Sequence, residues 1–104
     1  MTGRIYYSDF VEADLEEISG YIAERNAEAA GRTIDSILNK FKLLAQNHKI
    51  GASRQDVIDG LRQFPIGNYN IFYFVVDDGV EIYRILHSAR DSVQIFDEYP
   101  DQPN

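Results

Sequence analysis

The chain contains no cysteine, which excludes disulfides and thiolate metal sites and makes a reducing compartment, the cytoplasm, the expected location. No apolar run approaches the length of a membrane span or a signal-peptide core, so no membrane association is expected. Cations are few. Ten Lys/Arg stand against seventeen Asp/Glu, a formal net charge of −7 over 104 residues. That sign opposes sequence-independent attraction to phosphate backbones, and direct DNA binding by the chain alone is not expected. There is no Gly-rich phosphate loop, no nucleophile elbow and no pair of histidines at helical spacing, so the sequence points to no catalytic residue, no metal and no cofactor.

What remains is the composition of a soluble globular domain, 44% hydrophobic and 26% charged. At this length the expectation is one domain over residues 1–104, burying roughly two-thirds of its unfolded surface, with 92–104 a partly ordered acidic tail. The first half reads as strand and helices. Arg4 to Tyr7 is a short β-favouring run that stops at Ser8, a good N-cap for a helix starting near Asp9. Val11, Leu15, Ile18 and Ile22 then form one apolar stripe, with Glu12, Glu16 and Glu17 turned to solvent. Asn26 both terminates that helix and caps a second. The second stripe is Ala30, Ile34, Ile37, Leu38, Phe41, Leu44 and Ala45, which makes a helical hairpin. Gly31 inside it suggests close packing against the first helix.

After a connection from His48 to Asp59 the period changes from helical to extended. Leu61 to Ile66 and Tyr69 to Val76 flank Gly67-Asn68, a two-residue hairpin signal, and Asp77-Asp78-Gly79 separates the second run from Val80 to His87. The fold class is therefore α+β: an N-terminal strand, a helical hairpin, then a three-stranded antiparallel meander. Pro65 has no N–H for a ladder, so its strand should have an unpaired side there. Tyr69 to Val76 is apolar at nearly every position, as a strand covered on both faces would be. The hairpin covers one face, and a partner protein is the expected cover for the other.

Two histidines offer the only imidazoles. His48 lies in a polar loop and reads as a surface side chain. His87 clusters with Arg84 and Arg90 at the end of the last strand, where an acid/base and two cations would suit a phosphate. Strand-end cations more commonly satisfy carbonyls or carboxylates. Seven tyrosines and six phenylalanines suggest a base-stacking platform, but the interleaved basic residues such a platform needs are missing.

The order of elements resembles the ParE/RelE toxin superfamily of type II toxin–antitoxin modules. VEADLEEISGYIAERN followed by AEAAGRTIDSI is similar to its acidic first helix and Asn junction, and GLRQFPIGNYNIFYFV with GVEIYRILHSARD is similar to its strands, over residues 4 to 91. The resemblance implies a toxin, a plasmid-stabilization role, and a ParD-like antitoxin bound as a hetero-oligomer. It leaves two activities: ParE-like members poison DNA gyrase, and RelE-like members cleave messenger RNA on the ribosome. The nucleases use an Arg before the middle strand and a Tyr after the final Arg; Pro65 and Phe96 stand at those positions here, with Arg90 alone matching. Expectation therefore favours a non-enzymatic toxin directed at gyrase or topoisomerase IV over an mRNA endonuclease or a non-toxic antitoxin-binding module. Arg84, His87, Arg90 and Phe96 are the expected target surface, where cations and an aromatic occur together. Arg62, Phe64, Tyr69, Phe72 and Tyr73, from the Pro65 strand and the over-apolar strand beside it, are the expected antitoxin surface.

Overall fold

The computed structural model describes residues 3–89. Its elements are β1 (Arg4–Tyr7), α1 (Val11–Ala23), α2 (Ala27–Gln46), β2 (Ala52–Ser53), β3 (Leu61–Ile66), β4 (Tyr69–Val76) and β5 (Gly79–His87). The strands form one five-stranded sheet in the order β1-β5-β4-β3-β2. β3, β4 and β5 are the expected meander, with antiparallel pairings from Leu61↔Phe74 to Ile66↔Tyr69 and from Tyr69↔His87 to Val76↔Gly79. β1 lies parallel to β5, Arg4 opposite Gly79 and Tyr7 opposite Ile82. This parallel pair is possible because the helical hairpin carries the chain back across the sheet before the meander begins. The two backbones run so close there that a Cβ on Gly79 would overlap the Arg4 main chain.

The helical hairpin follows from its junction. Asn26 is extended (φ −162°), and its side-chain oxygen accepts from the Ala29 N–H at 3.0 Å, capping α2 as its sequence position predicts. Ser8 behaves differently. Its hydroxyl accepts from the Phe10 N–H at 3.2 Å and donates to the Tyr83 carbonyl, so it ties the turn to β5, while α1 itself starts at Val11 behind Phe10 with no side-chain cap. Gly31 corrects another expectation: it is exposed, and a Cβ there would meet nothing within 4 Å. Close helix packing does not explain it.

The core divides between the two faces of the sheet. Val11 and Ile18 from α1 and Ile37, Phe41 and Leu44 from α2 pack on Ile71, Tyr73, Val80, Ile82 and Ile85. Ile82 and Ile85 are three apart, a spacing that in regular pleating sends side chains to opposite faces. A bulge resolves this: Phe72 pairs with Arg84 and Tyr73 with Ile82, which leaves Tyr83 as the extra residue and resets the alternation. On the other face Leu61, Phe72, Tyr83 and Leu86 form a second cluster, against which Phe10, Val57, Ile58 and Phe74 pack. β4 is thus covered on both faces as its sequence implies. The expectation that a partner must cover the second face is corrected, because Phe72 is buried within the chain.

Two turn residues set the meander's register. Gly67 has φ +56° and Asn68 does not have positive φ, the pattern of a turn that needs left-handed backbone at its first central residue only. Ile66 and Tyr69 close that two-residue turn, so Pro65, one step back, sits at a position whose missing N–H faces away from β4. β2 reaches only Gln63 and Arg62, leaving that side of Pro65 open as expected.

Candidate functional site

The residues expected at the target surface do not share one environment. Arg84 is buried with 5% of its surface exposed, and its Nε and Nη2 bond both oxygens of Asp14 on α1 at 2.8 and 2.9 Å. The Ile85 N–H donates to the same carboxylate at 3.0 Å, and the guanidinium lies 4.7 Å from the centre of the Phe10 ring. A bidentate, buried pair of this kind locks α1 to β5. Arg84 is therefore corrected from surface cation to structural tie. His87 is exposed, its Nδ1 accepts from the Ala89 N–H at 3.0 Å, and its ring meets Tyr69 edge-on at 5.2 Å. Arg90 and Phe96 lie outside the described residues.

The expected antitoxin residues also separate. Phe72 and Tyr73 are buried at 2% and 0%, which corrects their placement on a binding surface: neither presents a face to a partner. Tyr73 instead organises the loop after α2. Its hydroxyl donates to the His48 carbonyl at 2.9 Å and accepts from the Gly51 N–H at 3.0 Å. Arg62 serves the same loop, its Nη2 donating to the Lys49 carbonyl at 2.9 Å and to that of Gly51. His48 is half-buried there, with its Nδ1 shielded from solvent, in place of the open surface position its polar neighbours imply. Phe64 and Tyr69 stay partly exposed while packing on the helix-side core.

One concavity joins several of these residues. A groove of about 520 Å³ runs between the second half of α1 and the end of the meander, lined by Glu17, Ile18 and Tyr21 from α1 and by Tyr69, Ile85, Leu86, His87 and Ala89. Its size is that of an ordinary ligand or side-chain pocket. Burial, and secondarily the neighbouring Tyr21 hydroxyl, raises the Tyr69 phenol above its usual range, so the group is neutral near pH 7. Arg25 lies over the Tyr21 ring at 4.2 Å. Sequence reasoning placed Tyr69 and His87 on separate surfaces, one for antitoxin and one for target, but the pairing Tyr69↔His87 puts them side by side. Among the described residues, no three His, Asp or Glu side chains converge as metal ligands, and no helix is long and apolar enough to cross a membrane.

A two-helix layer on this five-stranded sheet is the RelE/ParE toxin fold. The chain matches a chain of the chromosomal ParDE toxin–antitoxin system from P. aeruginosa with a TM-score of 0.69 and 22% identity, covering 83% of this chain and 96% of that one. It belongs to the ParE toxin family of type II toxin–antitoxin systems, parDE, whose family model matches residues 5–92. Over 93 residues it is 27% identical to the toxin ParE1 of Mycobacterium tuberculosis, spanning 88% of this chain and 95% of that toxin. Over 76 residues it is 34% identical to the toxin RelE3 of Caulobacter vibrioides, spanning 72% and 83% of the two chains. The protein is a toxin-family component of a type II toxin–antitoxin system.

Proposed function

We propose that this chain is a toxin that binds DNA gyrase or topoisomerase IV, holds the enzyme's cleaved-DNA intermediate, and is neutralised by a ParD-like antitoxin. The observation that carries this reading is the engagement of its described strand cations. Arg84 is committed to Asp14 and Arg62 to loop carbonyls, so neither stands beside His87 as part of an assembled site for an RNA phosphate. A toxin that works by binding needs a shaped surface and no such site. The ParE family match supports the same target class.

The similarity to a RelE toxin favours a second reading, ribosome-dependent mRNA cleavage. Induction of the chain alone in growing cells, followed by transcript mapping, separates the two. The proposal expects growth arrest, rescue by the coexpressed antitoxin, and intact ribosome-bound transcripts. Codon-positioned cleavage that disappears in a His87→Ala variant would establish the nuclease instead, and unimpaired growth would establish a non-toxic antitoxin-binding module.

A further inference from the structure

The groove beside α1 has a floor and a charge that together describe an occupant. Ile18, Ile85 and Leu86 give it an apolar base, and Tyr21, Tyr69 and His87 give it aromatic walls. Tyr21 is 54% exposed, a large apolar ring left at the rim. Apolar side chains entering such a recess are desolvated, and rings at its edge attract cations. The surrounding charge has one sign: from Asp9 to Glu24 the chain carries Asp9, Glu12, Asp14, Glu16, Glu17 and Glu24 and no Lys or Arg. Of these Asp14 is buried, and Asp9, Glu12, Glu16, Glu17 and Glu24 are exposed. A segment that lies in the groove passes along this acidic helix, and complementarity requires it to be basic.

Resting on the toxin–antitoxin reading above, we propose that this groove is where the antitoxin docks, through an amphipathic segment whose apolar side chains enter between α1 and the β4–β5 end and whose Lys or Arg residues face α1. A second copy of the chain fits less well. Its clustered cations, Lys40, Lys42 and Lys49, lie on and just after α2, and α2 buries its apolar face, Ile37, Phe41 and Leu44, in its own core. The placement also gives a means of regulation. His87 is a wall of the groove and belongs to the proposed target surface, so a segment seated there covers it and excludes the target by occlusion.

The test uses the full chain coexpressed with its antitoxin, the product of the neighbouring reading frame, with a photo-crosslinking phenylalanine analogue replacing Tyr21 or, in parallel, Leu38. Leu38 is an exposed position on α2 that does not line the groove. The proposal expects crosslinks from position 21, and none from position 38, to an antitoxin peptide with Lys or Arg within one helical turn of its apolar residues. It also expects Tyr21→Lys to weaken the complex at least about tenfold while Tyr21→Phe leaves it unchanged, with circular dichroism confirming that both variants fold. A complex that forms with unchanged affinity in Tyr21→Lys and gives no crosslink at 21 overturns the groove assignment and leaves the toxin–antitoxin reading standing. Crosslinks between two copies of this chain overturn it in favour of self-association. No complex at all overturns both.

Discussion

Arg84 and Asp14 are joined by two short hydrogen bonds in a site nearly closed to water. Removing one partner leaves the other charge buried, so Arg84→Ala should lose about 3–5 kcal/mol in a denaturant titration. Replacing both with apolar residues, Arg84→Met with Asp14→Leu, should recover part of that loss. Recovery stays incomplete because the Ile85 N–H also depends on Asp14, and a buried unsatisfied amide costs about 1–3 kcal/mol. A double variant as stable as the parent would contradict this account of the pair. Tyr73→Phe isolates a different tie: it removes the acceptor for the Gly51 N–H and the donor to His48, at a cost of about 1–3 kcal/mol. Amide exchange at Gly51 should accelerate with it; unchanged protection there would show that the hydroxyl does not hold the loop. The Arg84 pairing was half-legible in the sequence. Asp14 sits between Val11 and Leu15 on the apolar stripe, where a carboxylate has to be buried with a partner, but the seventy intervening residues conceal that the partner is Arg84.

At the scale of elements, the segments with strong local signals were the readable ones. The Gly67-Asn68 turn fixed β3 and β4 at their observed ends, and Asn26 marked the start of α2. Three features were not readable for physical reasons. β2 is two residues long and exists through its pairing with β3. The parallel placement of β1 is a tertiary contact with β5, and the bulge at Tyr83 is visible only when the two registers on either side of it are compared. Local energetics at α2 can be checked directly. Asn26→Ala removes a side-chain cap and should cost about 1 kcal/mol, whereas Gly31→Ala, on an exposed helical position with open space around it, should stabilise by about 0.5–1 kcal/mol. Thermal melts of the two single variants should therefore move in opposite directions. A destabilising Gly31→Ala would mean that the glycine answers to something other than helix propensity.

For the whole molecule, family and fold were legible because the strand, helical hairpin and meander each carry a local pattern and occur in a distinctive order. The site was less so, since residues assigned from chain position to two surfaces meet in one groove, and others assigned to the surface are core or ion pair. An acidic domain whose described strand cations are held in structural bonds can act on a large enzyme by occupying a surface of it. The proposed consequence is that damage requires an active topoisomerase, because the toxin contributes binding and the enzyme contributes the broken DNA. The most direct measurement adds purified chain to DNA gyrase, ATP and supercoiled plasmid and quantifies linear, protein-linked DNA after denaturation. The account predicts that this fraction rises with toxin concentration and returns to baseline when the antitoxin is present. No inhibition and no trapped cleavage at micromolar excess, from a chain shown to bind its antitoxin, would contradict it.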